Sequence, residues 1–169
     1  MKARDEAEFT EFAAITIRRL RRTAYLMCGD WHRAEDAAQD ALVKVYRHWN
    51  RINRTDSLIG YAHRCVVTAV LDQSRKPWRR ERLDDTGEDL RPLPDAVGSV
   101  DDRLLVIEAL HHLSPSQRAC VVLRHYADLS LEQTADILGI SVGGVKSQTS
   151  RGLGRLRELL LDQTERSAS

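Results

Sequence analysis

The chain has 169 residues, 42% hydrophobic and 30% charged, enough apolar material for one domain or two small ones and too much for a disordered chain. Only 5% is aromatic, with nine glycines and four prolines, which argues against a β-sandwich or barrel and for helices. Net charge is +1 and by itself points to no partner, but residues 1–76 carry 14 basic and 10 acidic side chains, residues 77–100 four and six, and residues 101–169 eight and nine.

Met1 to Phe12 carries four acids and no apolar core, so it does not read as a secretory signal. Apolar residues Phe9, Phe12, Ala13, Ile17, Leu20, Ala24 and Met27 recur at steps of three and four and predict a helix over 5–28. Gly29-Asp30 breaks it. A second helix is predicted from about Trp31 to Trp49, with Ala34, Ala38, Ala41, Leu42, Val45 and Trp49 as its buried stripe. A third begins near Asp56 or Ser57 as N-cap and runs to about Lys76, with Leu58, Tyr61, Ala62, Cys65 and Ala69 inward. Its run Cys65–Leu71 is the longest apolar stretch in the chain and is far short of the roughly 18 residues of a membrane span. Three amphipathic helices on short turns predict a small bundle.

Residues 77–100 then lose all periodicity and contain three prolines, which predicts a flexible linker rather than a domain. Fully extended, 24 residues span at most about 80 Å at roughly 3.3 Å each. Helices resume at Asp101 or Asp102, apolar at Leu104, Leu105, Ile107 and Leu110. Ser114-Pro115-Ser116-Gln117 then supplies an N-cap, a first-turn proline and a capping-box glutamine, followed by inward Ala119, Val122 and Leu123. A second box, Ser130-Leu131-Glu132-Gln133, follows 16 residues later. The three cysteines, Cys28, Cys65 and Cys120, are scattered without a C-x-x-C pair and read as reduced core fillers. No histidine stands at metal-ligand spacing from a cysteine, so neither a metal nor a cofactor is expected.

Residues 130–153 carry the most specific pattern. Ala135, Gly139 four on and Val145 six further on have helix-turn-helix spacing. The small Ala135 lets two helices approach. Gly139 takes the left-handed conformation that ends the first. Ser141 caps the second, and Ile140 and Val145 pack it on the first. The second helix presents Lys146, Ser147, Gln148, Ser150 and Arg151 outward, and Lys146 to Arg157 contains four bases and no acid. An ordinary helical hairpin with a solvated basic face explains any one of these features. Together they predict DNA binding, with the second helix in a major groove. The run Gly143-Gly144-Val145-Lys146-Ser147 only imitates a phosphate loop, because Val145 intervenes before Lys146 and a helix precedes it.

Residues 119–148, with the tail from Thr149 to Leu160, closely resemble region 4 of group IV sigma factors, the extracytoplasmic-function (ECF) subunits of bacterial RNA polymerase, sigma-E-like subgroup. Ala34 to Tyr46 is similar to region 2.2, and the resemblance covers about residues 9–161. It implies an all-α protein of two small helical bundles: a region 2 domain over 5–76, a linker over 77–100 and a region 4 domain over 101–162. It implies a non-enzymatic, cytoplasmic transcription initiation factor. Such a factor binds core polymerase at the β′ clamp helices and β flap, reads promoter DNA at the −10 and −35 elements, and is restrained by an anti-sigma factor.

Carried over residue by residue, the resemblance assigns polymerase binding to Glu35, Asp36, Gln39, Asp40 and Tyr46. From spacing alone, Asp36, Asp40, Val43 and Arg47 share a stripe opposite the buried one, as on any solvated helix face. On the third helix Arg64, Thr68 and Arg75 fall within about 40° of one another at 100° per residue. The resemblance makes Arg64, Arg75 and Lys76 contacts to −10 phosphates, and His63 and Thr68 contacts to a base or sugar. Thr68 stands where the family usually has Asn, which loses an amide fork. At the −35 element it assigns Ser141, Gly144, Lys146, Ser147, Gln148, Ser150 and Arg151. Gly144 stands where the family more often has Thr, which removes a hydroxyl and permits close approach of backbone N–H groups to a phosphate.

Three other readings stay open at the level of residues. A stand-alone helix-turn-helix regulator would need a ligand pocket or dimer interface in residues 1–76. An enzyme would need a catalytic grouping, and the histidines are scattered. A polymerase-binding decoy would bind the polymerase without DNA.

Overall fold

The structure, a computed structural model, describes residues 2–52, 58–74 and 100–169. The predicted cap at Asp56 or Ser57, the site residues Arg75 and Lys76, and the linker as far as residue 99 lie outside the described residues. Everything described is helix or turn, and the chain divides into two compact units, Met1–Asp89 and Leu90–Ser169.

The first unit contains α1 (Ala3–Cys28), α2 (Trp31–Arg47) and α3 (Leu58–Ser74), each packed on the other two. Gly29 ends α1 in the left-handed conformation (φ 73°), its N–H bonding to Tyr25 O at 2.7 Å. Asp30 caps α2, accepting from His32 N–H at 2.8 Å and Arg33 N–H at 3.2 Å. A cap of this kind contributes about 1 kcal/mol. The core holds Leu20, Ala24, Ala34, Ala38, Ala41, Val45, Ala62, Val66 and Val67. The row of alanines on α2 keeps the neighbouring helices close. Helix α2 ends at Arg47, short of the expected Trp49, which is nonetheless buried and stacked edge-on against Phe9 with centroids 5.4 Å apart.

The second unit contains α4 (Val100–His111), α5 (Pro115–Val121), α6 (Leu131–Leu138) and α7 (Val142–Ala168), with α7 packed against the other three. Both capping boxes form. Ser114 Oγ accepts from Gln117 N–H at 3.2 Å and Ser130 Oγ from Gln133 N–H at 3.0 Å, and each glutamine side chain accepts in return from the capping residue's N–H. Arg118 on α5 closes the end of α4, donating to the carbonyls of Leu110, His111 and Leu113 at 2.9, 3.3 and 3.1 Å. After Val121 the helix widens into a π-helical turn, Val122–Tyr126, where Ala127 N–H reaches Val122 O at 3.0 Å. Arg124 ties this turn to the next loop by donating to Leu129 O at 2.6 Å. Leu104, expected within the apolar pattern of α4, faces outward, while Ala109 and Leu110 are buried. No described helix is long and apolar enough to cross a membrane.

Candidate nucleic-acid interface

The helix-turn-helix is built by local rules. Gly139 ends α6 at φ 67°, with its N–H on Ala135 O. Ser141 starts α7 two residues later, its Oγ accepting from Gly144 N–H at 2.9 Å. Behind the turn Cys120, Ala135 and Val145 are buried, with Leu131, Leu138 and Val142 packed around them. Ile140 does not join this core as expected. At 36% exposed it lies over the start of α7, near Gly144, because the chain turns outward at Gly139. Further along, a Cβ at Gly152 would lie 2.7 Å from Val121 Cγ2 and 3.3 Å from Gln117 O, so α7 crosses α5 where only glycine fits.

The outer face of α7 then carries exposed Lys146, Ser147, Ser150 and Arg151, with Gln148 half-buried at its edge. Gly143 and Gly154 open the ends of the same face, and a Cβ at Gly154 would meet nothing within 4 Å. The face is cationic and rich in small donors, which suits base edges and phosphates together. Ser141 is exposed and its oxygen serves as the cap, so its own hydroxyl proton can still be donated. The N–H of Gly144 itself donates to Ser141 Oγ. The preceding N–H groups of Val142 and Gly143 belong to the first helical turn, which has no intrahelical acceptor. Arg155, next along the helix, shares its guanidinium with Glu158 at 3.2 Å.

On α2, Asp36, Asp40, Val43 and Arg47 are exposed as the spacing predicts, and Gln39 and Tyr46 are exposed beside them. Val43 and Tyr46 are 47% and 41% exposed, two sizeable apolar surfaces among acids and an amide. Tyr46 is braced edge-on by Phe9, centroids 5.0 Å apart. Glu35 is different. Its Oε2 pairs with Arg21 Nε of α1 at 2.7 Å, so it helps join two helices, contributing on the order of 0.2–1 kcal/mol for a partly exposed pair.

On α3, Arg64 and Thr68 are exposed on one stripe, and Thr68 donates its hydroxyl back to Arg64 O at 2.8 Å. His63 is not on that stripe. It is fully buried, with Nδ1 2.9 Å from Ile59 O and Nε2 3.3 Å from Thr23 Oγ1. The Nδ1–H donates to Ile59 and Nε2 accepts from Thr23, so the neutral ring locks α1 to α3. The expected contact of His63 with DNA is therefore withdrawn. Burial above all pushes its pKa below the usual histidine value, opposed by the Ile59 bond and helped to a lesser degree by the charge of Arg19.

Burial raises the pKa of all three thiols, Cys28 to about 11, which keeps them protonated and unreactive. Among the described residues no three His, Cys, Asp or Glu side chains converge to hold a metal ion.

The family description Sigma-70 region 2 matches residues 14–80, and Sigma-70, region 4 matches residues 109–158. The chain is 34% identical over 157 residues to an RNA polymerase sigma-E factor of Streptomyces coelicolor, covering 91% of this chain and 86% of that one. It is 37% identical over 160 residues to an RNA polymerase sigma-E factor of Streptomyces avermitilis, with coverage of 90% and 85%. Among solved structures, the sigma factor RpoE of Bartonella quintana, in complex with the anti-sigma factor NepR, superposes with a TM-score of 0.75. It is 26% identical, covering 90% of this chain and 96% of that one. With both sigma regions matched in order and with relatives matched over most of their length, the chain belongs to the extracytoplasmic-function RNA polymerase sigma factors, the family of the sigma-E factors.

Proposed function

We propose that this sigma factor binds core RNA polymerase through the exposed stripe of α2 and directs it to promoters with its two DNA-reading faces. The outer face of α3 and the residues just before it read and help melt the −10 element. Helix α7 reads the −35 element. The observation that carries the reading is α7 itself, fixed at both ends of its turn by Gly139 and Ser141 and pinned by Val145, with an acid-free polar face of Lys146, Ser147, Ser150 and Arg151.

Residues 5–76 form the polymerase and −10 domain, 77–100 the linker, and 101–162 the −35 domain. On the polymerase the partners are the β′ clamp helices for α2 and the β flap for the second unit. An anti-sigma factor is the natural antagonist, as in the Bartonella complex. The protein works by binding, in the cytoplasm, with no cofactor.

Co-purification tests the polymerase contact. Asp36→Ala with Gln39→Arg alters two exposed side chains and should shift stability by only about 0.5 kcal/mol. Capture of core polymerase should drop sharply. A folded double variant that captures core as well as the unaltered chain refutes the assignment of α2.

A further inference from the structure

Four of the five residues from Arg18 to Arg22 are arginines, and α1 has no acid after Glu11. Leu20 between them is buried in the core. Arg21 turns toward α2, where it pairs with Glu35 and lies 6.0 Å from the centroid of Trp31. Arg18 and Arg19 are exposed and Arg22 is half-buried; at 100° per residue Arg19 and Arg22 stand roughly 160° and 100° round the helix from Arg21, and Arg18, roughly 60° from it, sits beside Arg22 on the outer face.

The seam between α1 and α3 fixes where Arg19 stands. Thr23 Oγ1 lies 3.3 Å from His63 Nε2, and Arg19 is close enough for its charge to act on that ring. The next residue on α3 is the exposed Arg64, on one stripe with Thr68. The arginines of α1 are therefore level with the start of α3. Residues 12–28 of α1 and 58–68 of α3 hold no acid, so the arginines of α1 and Arg64 form one cationic band, which ends along α3 at the exposed Asp72, one turn past Thr68. The stripe of α2 has the opposite character, with Asp36, Gln39 and Asp40. One partner does not suit both surfaces by charge.

We propose that Arg18, Arg19 and Arg22 continue the outer face of α3 as a phosphate-binding band that holds the backbone of the unpaired promoter strand beside Arg64. Planar guanidinium groups engage phosphate oxygens with paired N–H donors, and a band of them follows a strand without reading its bases. The proposal rests on the reading of α3 as the −10 face.

The test uses holoenzyme assembled from core polymerase and the full chain. The probe is a fork-junction DNA whose unpaired strand carries the −10 sequence found by run-off transcription. Each lost phosphate contact on a single strand reduces the slope of log affinity against log salt by about 0.7. Changing Arg18, Arg19 and Arg22 together to Gln should reduce the slope by about 2 and leave core capture unchanged. The triple Lys variant should keep most of the slope, and Arg64→Gln alone should reduce it by about 0.7. If Arg64→Gln reduces the slope and the triple Gln variant does not, the band is refuted and the −10 reading stands. If neither changes it, the −10 reading fails and the band with it. If the triple Gln variant remains folded by its melting curve but loses core capture, the arginines face the polymerase and the proposal is overturned.

Discussion

Gly152 matters because α7 passes α5 at a distance that a single methyl group would close. Gly152→Ala places a Cβ 2.7 Å from Val121 Cγ2, and Val has few rotamers with which to move aside. The second unit should lose about 1–3 kcal/mol. Gly154→Ala, in open space on the same helix, should instead gain up to about 1 kcal/mol from helix propensity. Thermal melting of the two variants checks the pair, and a Gly152→Ala protein that melts at or above the unaltered one contradicts the close crossing. His63 gives a second prediction. Its folded pKa lies below the unfolded value, so the unfolded chain binds the proton more readily. The stabilisation is complete above pH of about 6.5, the ordinary histidine value, and is lost as pH falls from there toward the folded pKa. Melting at pH 7.5 and 5.5 should show a larger acid loss in the unaltered chain than in His63→Gln. Equal losses would show that His63 is not the buried base.

At the scale of elements, α7 divides its labour along its length. Lys146, Ser147 and Ser150 lie nearest its capped start, where recognition helices meet base edges, and Arg151 lies beyond them. Lys146→Ala should cost roughly 1–3 kcal/mol on the matched −35 sequence and little on a scrambled one. Arg151→Ala should weaken both about equally and reduce the salt slope by about one. Binding of the full chain, as holoenzyme, to both sites at two salt concentrations separates them. A Lys146→Ala loss equal on both sites would mean the helix is wrongly placed in the groove. The elements that sequence reading found are those whose physics is local. The boxes at Ser114 and Ser130, the turn at Gly139 and the cap at Ser141 each depend on residues within four positions. What it misplaced depends on a neighbour far along the chain. His63 is buried because Thr23, 40 residues earlier, faces it across the α1–α3 seam. The column Ile59, His63, Val67 and Val70 on α3, and Thr23 in line with Leu20 and Met27 on α1, carried that information as two polar residues in apolar columns. Likewise Glu35 reads as one more exposed acid until Arg21 appears opposite it. The π-helical turn at Val122 had no sequence mark, since its residues are ordinary helix formers and it closes through the backbone bond from Ala127 N–H to Val122 O.

For the whole molecule, a net charge of +1 hides a cationic face on α7, a run of arginines on α1 and an acidic stripe on α2. On the proposed reading each compact unit carries a DNA-facing surface and the first also a polymerase-facing stripe, which is what a protein needs to bring an enzyme to two promoter elements at once. A helix-turn-helix regulator acting alone would have no use for the α2 stripe, and a decoy would have no use for the face of α7. The direct test is run-off transcription with core polymerase on a pool of genomic promoters, with and without the protein. Transcripts should appear only with the protein, from a subset of promoters sharing one −35 and one −10 sequence. Binding to core polymerase with no promoter-selective transcript would contradict it.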